Sequence, residues 1–134
     1  MKTDEQLKQE NPELYKVARE GGTEAAHSSD LLHIDEDGVF HCAVCNALLF
    51  DSDTKFDSGS GWPSFTDPVN KEAVVLIHDR SHGMRRTEVR CANCQAHLGH
   101  VFPDGPERTG GGPRDFGLHN RYCINGISLE MHNK

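Results

Sequence analysis

The sequence predicts a small antiparallel β domain that carries a helical segment at its amino terminus. The length of 134 residues fits one compact domain with a core of its own. After Leu31 the chain consists of short β-type runs separated by turn residues, a pattern typical of antiparallel sheets. Two Cys-x-x-Cys pairs could tie distant hairpins together through a metal ion. We therefore expect one domain over residues 1–134, with a helical segment over 1–21 and the β domain over 22–131.

The helical segment is predicted from its capping residues. Thr3-Asp-Glu-Gln6 resembles a capping box, in which the first and fourth side chains each bond the other residue's backbone. A second helix is expected to begin at Asn11 as the N-cap, with Pro12 in its first turn. Its apolar residues share one side: Leu14, Val17 and Ala18. Gly21-Gly22 is expected to end this helix.

The β domain is predicted from runs of β-forming residues bounded by turn residues. The predicted strands are Val39–Cys42, Leu48–Phe50, Ala73–His78, Arg85–Cys91, Leu98–Phe102, Arg121–Asn125 and Ile127–Met131. Two polar, glycine-containing loops lie between them, Asp57–Ser64 and Asp104–Asp115. The second of these has the composition of a mobile surface loop.

Bulk composition argues against several classes of protein. A mean hydropathy of -0.65 and the lack of any apolar run longer than Ala73–Ile77 exclude a membrane-spanning helix, which needs about 20 apolar residues. A formal net charge of -7 disfavours nucleic-acid binding, because phosphate contacts draw on clustered Lys and Arg. The first residues contain no apolar signal-peptide core, so we expect a cytoplasmic protein, and a monomer by default.

Four cysteines have the spacing of a metal site. Cys42-Ala-Val-Cys45 and Cys91-Ala-Asn-Cys94 share the same spacer, and each pair follows a predicted strand. Such knuckles can bring four thiolates to one tetrahedral Zn²⁺, with Zn–S bonds of about 2.3 Å. A site closed by four sulfurs has no open position for substrate, so the ion is expected to be structural. The alternatives are two disulfides or a redox-active Cys-x-x-Cys, although the βαβ setting of thioredoxin-type motifs is missing.

The fifth cysteine, Cys123, is then the only thiol left free by the metal. A lone cysteine can be a small buried hydrophobe, but the neighbours of this one suggest chemistry. If residues 121–125 form a strand, then Arg121, Cys123 and Asn125 project from the same face. A guanidinium beside a thiol favours the thiolate, and a carboxamide can hold a substrate or an imidazole.

Two histidines and the single tryptophan complete the candidate site. His97 and His100 would face opposite sides of a regular strand, so we expect Gly99 to mark a bulge or bend that brings both to one site. Near neutral pH a histidine can donate a proton to a leaving oxygen, although either could instead be an extra metal ligand or a surface histidine. Trp62 lies among glycines and a proline in a polar loop, which favours a pocket wall over a core position.

These motifs together resemble a known family, the B-type peptide methionine sulfoxide reductases, or methionine-R-sulfoxide reductases. The segments that carry the resemblance are the two cysteine pairs and Lys55–Phe65, Gly83–Val89, Ala96–Phe102, Asp104–Pro106 and Arg121–Asn125. The match extends from about Gly22 to Met131, and so many ordered motifs rarely coincide by chance.

The resemblance implies a β-tent-like fold of two small antiparallel sheets, stapled by one zinc ion on Cys42, Cys45, Cys91 and Cys94. It implies that Cys123 attacks the sulfur of a methionine-R-sulfoxide in a peptide or protein, releasing methionine and leaving a sulfenic acid. The oxygen would be bound and protonated, directly or through water, by His97, His100 and Asn125, and Arg121 would stabilise the thiolate. Trp62 would border the pocket for the methyl group, with Phe65 and Ser60 also at the substrate site.

Three departures from the family pattern are visible. Ser60 stands where many members have a resolving cysteine, so we expect the sulfenic acid to be reduced by an external thiol such as thioredoxin, glutaredoxin or glutathione. The usual amino-terminal motif is reduced to Thr23 and Glu24. The segment Gly110–His119 is long and rich in glycine, and Gly126 replaces a common serine.

The main competing hypothesis is a non-enzymatic, zinc-stabilised β domain that binds a protein partner. The combination of Cys123 with His97, His100 and Asn125 discriminates against it, since a binding module has no need of all four.

Overall fold

The computed structural model describes residues 1–32, 37–79, 86–102 and 120–133. Two helices open the chain, α1 (Asp4–Glu10) and α2 (Pro12–Ala18). The capping box is confirmed, because the Gln6 amide donates to Thr3 Oγ1 at 3.1 Å and the Thr3 amide donates to Gln6 Oε1 at 2.9 Å. Asn11 caps α2 by accepting from the Leu14 amide at 3.2 Å. None of the helices in the described part of the chain combines the length and hydropathy needed to cross a membrane.

The strands form two antiparallel sheets, as predicted. In chain order they are β1 Gly38–Cys42, β2 Leu48–Asp51, β3 Lys55–Phe56, β4 Ser64–Phe65, β5 Val74–Asp79, β6 Arg86–Cys91, β7 His97–Phe102, β8 Arg121–Ile124 and β9 Leu129–Asn133. The smaller sheet has the order β2-β1-β9, and the larger has the order β3-β4-β8-β7-β6-β5. Strand β8 therefore lies inside the larger sheet, with β4 on one side and β7 on the other.

Some predicted boundaries were wrong. The last strand begins at Leu129 rather than Ile127, because Gly126–Ser128 forms a 3-10 helix. The short strands β3 and β4 were not predicted, and β4 begins at Ser64, the last residue of a predicted loop. Two-residue strands have no detectable period of their own; here β3 pairs with β4, and β4 also pairs with β8. The predicted strand start at Arg85 and the loop predictions for Asp104–Asp115 and Gly110–His119 lie outside the described residues.

An aromatic cluster joins the two sheets. Phe40 and Phe50 from the smaller sheet contact Phe65 of the larger sheet, with ring centroids 5.2 and 4.4 Å apart. Phe50 also lies edge-on to Tyr122 of β8, at 6.0 Å. All four rings are fully buried, and burial of each such side chain contributes about 1.5–3 kcal/mol. The position of Phe65 corrects the expectation that it contacts substrate, because its side chain points into this core.

The helical segment packs against the same core. Leu7 and Leu14 are fully buried and belong to the hydrophobic cluster that contains the strand residues. At the end of α2, the Arg19 guanidinium donates to the Cys94 carbonyl at 2.7 Å. The helices are thus attached to the end of the larger sheet that carries the second cysteine pair.

Candidate active site and metal centre

The four cysteines of the two Cys-x-x-Cys pairs form one cluster. Their sulfur atoms all lie within 4.8 Å of one another, with Cys42 and Cys94 3.7 Å apart and Cys45 and Cys91 3.6 Å apart. Four sulfurs bound tetrahedrally at ~2.3 Å are about 3.8 Å apart, so the cluster has the dimensions of a zinc site. All of these cysteines are free thiols, which excludes the alternative of two disulfides.

The two knuckles are built in the same way. Cys42 ends β1, and its carbonyl accepts a hydrogen bond from the Asn46 amide at 2.8 Å. In the same way Cys91 ends β6, and its carbonyl accepts from the Gln95 amide at 2.8 Å. Asn46 and Gln95 have positive φ angles of 66° and 63°, which turn the chain back towards the next strand. The cluster therefore links the β1–β2 hairpin of the smaller sheet to the β6–β7 hairpin of the larger one.

Two cysteines of this cluster differ in how readily they ionise. Hydrogen bonds to Cys91 and Cys94, together with burial, raise the pKa of Cys42, whereas hydrogen bonds from Cys42 and Cys91 lower the pKa of Cys94 to about 4. The Cys94 thiol thus ionises readily, whereas the Cys42 thiol keeps its proton. A bound divalent cation is what allows all four to become thiolates together. The four-cysteine cluster can therefore hold a metal ion.

A second group of side chains shares one face of the larger sheet. Cys123 on β8 lies opposite His100 on β7 and Ser64 on β4. The pairing of β6 with β7 shifts by one residue, so that Leu98 bulges between His97 and Gly99. Because of this bulge His97 and His100 face the same side, and their ring centroids are 5.4 Å apart. The predicted irregularity is present one residue before Gly99, at Leu98.

Gly99 also lets two strands approach closely. A Cβ atom at this position would overlap the carbonyl oxygen of Cys123 and lie 3.0 Å from the Ile124 Cα. Only glycine fits here without moving β8, so the position of Cys123 depends on this residue.

Polar groups surround the Cys123 sulfur. Arg121 Nη1 donates to it at 2.9 Å, and the hydroxyl oxygens of Ser60 and Ser64 lie 3.4 and 3.8 Å from it. Ser58 connects the two serines, with its Oγ 2.7 Å from each of their hydroxyls. These donors suit a thiolate, and the guanidinium is the strongest of them.

A cavity of about 160 Å³ opens beside Cys123. The predicted residues that line it are Trp62, His100, Arg121, Cys123 and Asn125. The sequence did not reveal that Thr23, Arg86 and Phe102 also line it. Alternation from His100 along β7 could have indicated Phe102, and the Arg121 guanidinium lies 4.5 Å from the centre of its ring. Thr23 stood out in the sequence only as a remnant of the family's amino-terminal motif, and it reaches the cavity from a distant part of the chain.

His97 lies next to this cavity but does not line it. Its side chain is 6% exposed, and Nδ1 is 2.7 Å from Glu88 Oε2. Arg90 Nε donates to the same carboxylate oxygen at 2.9 Å. Burial alone would raise the pKa of Glu88, but the hydrogen bonds from Arg90 and His97 outweigh burial and lower it. Glu88 is therefore a carboxylate at neutral pH and fixes the orientation of the imidazole.

Asn125 and Trp62 are held by the segment that follows α2. The Asn125 side chain accepts from the Glu24 amide at 3.0 Å and donates from Nδ2 to the Leu98 carbonyl at 3.0 Å. The indole Nε1 of Trp62 donates to the Glu24 carbonyl at 3.0 Å. Directional hydrogen bonds thus fix the side chains of Asn125 and Trp62, which form two walls of the cavity.

Two comparisons with known proteins, by family model and by sequence, agree on one family. The family model described as SelR domain matches residues 10–133. Proteins described as "Peptide methionine sulfoxide reductase MsrB" from several strains of Escherichia coli are 52% identical over 128 residues, covering 95% of this chain and 87% of theirs. The crystal structure of the Mis18 'Yippee-like' domain aligns with a TM-score of 0.53 at 19% identity, over 74% of this chain and 98% of that domain. That last similarity concerns the fold alone.

Proposed function

This chain belongs to the SelR domain family and is a peptide methionine-R-sulfoxide reductase, and we propose that Cys123 is its nucleophile. The observation that carries the proposal is the Arg121 guanidinium 2.9 Å from the Cys123 sulfur, at the edge of a cavity walled by Trp62 and Asn125. The thiolate attacks the sulfoxide sulfur, and the oxygen ends on Cys123 as a sulfenic acid. The substrate sulfur gains the two electrons that the Cys123 sulfur loses, and methionine is released.

The sulfoxide oxygen needs donors and a proton during this step. His100 and Asn125 line the cavity on the same side of the sheet as Cys123, and we assign them to that oxygen. His97 reaches it through water, because its ring lies beside His100 but outside the cavity. Proton donation to a leaving oxygen is typical of imidazole near neutral pH.

Trp62 is proposed to contact the methyl group of the substrate. The indole ring borders the cavity, and an aromatic wall suits an apolar group next to a polarised sulfur. Because one ring edge is tied to the Glu24 carbonyl, the wall has a fixed position. Phe65 has no place in this pocket, since it is fully buried in the core.

One Zn²⁺ is proposed for the four-cysteine cluster, as a structural ion. Two of its sulfur–sulfur distances, 3.6 and 3.7 Å, suit tetrahedral coordination, and all four sulfurs lie within 4.8 Å of one another. Such an ion cross-links the two sheets and takes no part in the redox step. The thiols of Cys42, Cys45, Cys91 and Cys94 are then withheld from reaction with Cys123.

The sulfenic acid is proposed to be reduced by an external thiol. Two thiols of thioredoxin, glutaredoxin or a small molecule would become one disulfide, regenerating the Cys123 thiol and releasing water. Ser60 supports this route, because its hydroxyl occupies the position beside Cys123 from which a second cysteine would react, 3.4 Å from the sulfur.

We expect Ser60→Cys to convert the protein into one that closes an intramolecular disulfide. After one equivalent of substrate without reductant, wild type should keep a sulfenic acid that a dimedone probe labels. The variant should instead lose two hydrogens in its intact mass and resist the probe. Ser58→Cys is the matched control, because Ser58 contacts the other two serines but not the Cys123 sulfur. A wild-type disulfide between Cys123 and any of the other four cysteines would contradict the external route.

The proposed function is tested by giving separate R and S epimers of a blocked methionine sulfoxide to the zinc-loaded protein, with dithiothreitol as reductant. We expect the R epimer to be reduced and the S epimer to be left untouched. Equal rates on both epimers would contradict the assignment. The competing hypothesis of a non-enzymatic binding domain is not favoured, because the relatives at 52% identity are reductases by name.

We propose that the protein acts in the cytoplasm as a monomer on oxidised methionine in peptides or proteins. Free thiols at all five cysteines suit a reducing compartment. A net charge of -7 favours solubility and opposes self-association. No membrane or nucleic-acid partner is proposed.

A further inference from the structure

Glu24 lies between α2 and β1 and joins elements on both sides of the cavity. Its carboxylate accepts from the amides of Gly126 at 2.7 Å and Ile127 at 3.0 Å. Its own amide donates to the Asn125 side chain, and its carbonyl accepts from Trp62, both at 3.0 Å. We propose that Glu24 is a positioning residue that sets both Trp62 and Asn125 for the reaction, an inference that rests on the proposed function.

The Glu24 carboxylate fixes the position of the segment between α2 and β1. It binds the first two amides of the 3-10 helix Gly126–Ser128, which directly follows Asn125. Hydrogen bonds to an ionised group are about twice as strong as those between neutral groups, and two of them define a direction. The 3-10 helix packs closely against this segment, because a Cβ atom at Gly126 would overlap the Ser29 hydroxyl. Glycine at position 126 therefore makes room for Ser29.

The main chain of Glu24 then orients the two cavity walls. The amide of Glu24 can donate only to the Asn125 oxygen, so the carboxamide cannot flip. With that orientation Nδ2 faces the Leu98 carbonyl, and its second hydrogen is not used by either bond. The carbonyl of Glu24 holds the indole of Trp62 at the same time. A shift of the carboxylate would therefore move both walls together.

The fold itself does not depend on this contact. Glu24 is half-buried and lies outside the hydrophobic cluster. The sheets are joined by the aromatic cluster and by the four cysteines, both of which are formed by other elements. Loss of the carboxylate should therefore loosen the cavity with little effect on global stability.

The test is Glu24→Gln, compared with wild type by kinetics and by the fluorescence of Trp62, the only tryptophan in the chain. The glutamine side chain has one acceptor oxygen where the carboxylate has two, so one of the two amides loses its partner. We expect kcat for the R epimer to fall about 10- to 100-fold with a smaller change in KM, because misplaced groups cost rate. Trp62 emission should shift to the red and become more accessible to iodide, while metal content is unchanged.

Glu13→Gln is the matched control, since Glu13 is an exposed carboxylate on α2. It should leave both kcat and the emission of Trp62 unaltered. Wild-type emission and wild-type kcat in Glu24→Gln would overturn the proposal, and so would a changed emission with wild-type kcat. If the wild type reduces neither epimer, the proposed function fails, whereas the Trp62 emission of Glu24→Gln still reports whether Glu24 holds the wall.

Discussion

Replacing Cys123 by serine is expected to abolish reduction of the R epimer while the protein stays folded and keeps its metal. A hydroxyl is a far weaker nucleophile than a thiolate and cannot form the sulfenic acid. Loss of a nucleophile typically costs about 10⁴-fold or more in turnover. Serine is nearly isosteric with cysteine and can keep the contacts to Arg121 and Ser64. The measurement is single-turnover release of methionine from the R epimer.

The fold of this variant is checked independently by its metal content, its circular dichroism and the emission of Trp62. All three should match wild type, because Cys123 is neither a metal ligand nor part of the aromatic cluster. Activity that survives in Cys123→Ser would assign the nucleophile to one of the four clustered cysteines. That result would also contradict the closed zinc site, since a thiolate held by the metal is a poor nucleophile.

Short-range patterns predicted the parts of the site that lie on single elements. The alternation of side chains along a strand correctly placed Arg121, Cys123 and Asn125 at one cavity, because the period of two is imposed by the backbone. The equal spacers of the cysteine pairs predicted two similar knuckles, because each pair forms a local turn, and the preference of zinc for four thiolates predicted that they meet. The glycine in His-Leu-Gly-His indicated a bulge because a bulge is also a local feature.

Contacts between distant segments could not be predicted in this way. Glu24 is more than a hundred positions from Gly126 and Ile127 along the chain, and nothing in its local sequence indicates a carboxylate that binds two amides. Phe65 was misplaced because the motif does not say which face of a two-residue strand it occupies. The register of β4 on β8 decides this, directing Ser64 towards Cys123 and Phe65 into the core.

The partner of His97 was missed for a related reason. Glu88 is nine residues away on the neighbouring strand, and the two side chains meet only because Leu98 bulges out of the ladder. Sequence alternation alone would place His97 on the opposite face from His100. The bulge thus produces both the histidine pair and its carboxylate, which explains why one irregular residue has so large an effect on the site.

The double variant Cys91→Ser/Cys94→Ser is expected to lose the metal and to unfold. Structural zinc contributes about 10–16 kcal/mol in zinc-finger peptides, which is comparable to the whole stability of a typical domain, about 5–15 kcal/mol. In this protein the cluster links hairpins from both sheets, and Cys94 also receives the Arg19 hydrogen bond that attaches α2. The substitutions also replace Cys91 and Cys94, the two thiols that bond the buried Cys42 sulfur. Thermal unfolding followed by circular dichroism, with metal content measured on the same samples, gives the result.

Cys123→Ser is the control, since it removes one thiol but no ligand and should melt like wild type. A metal-free double variant that melts at the wild-type temperature would show that the aromatic cluster between Phe40, Phe50 and Phe65 holds the sheets together unaided.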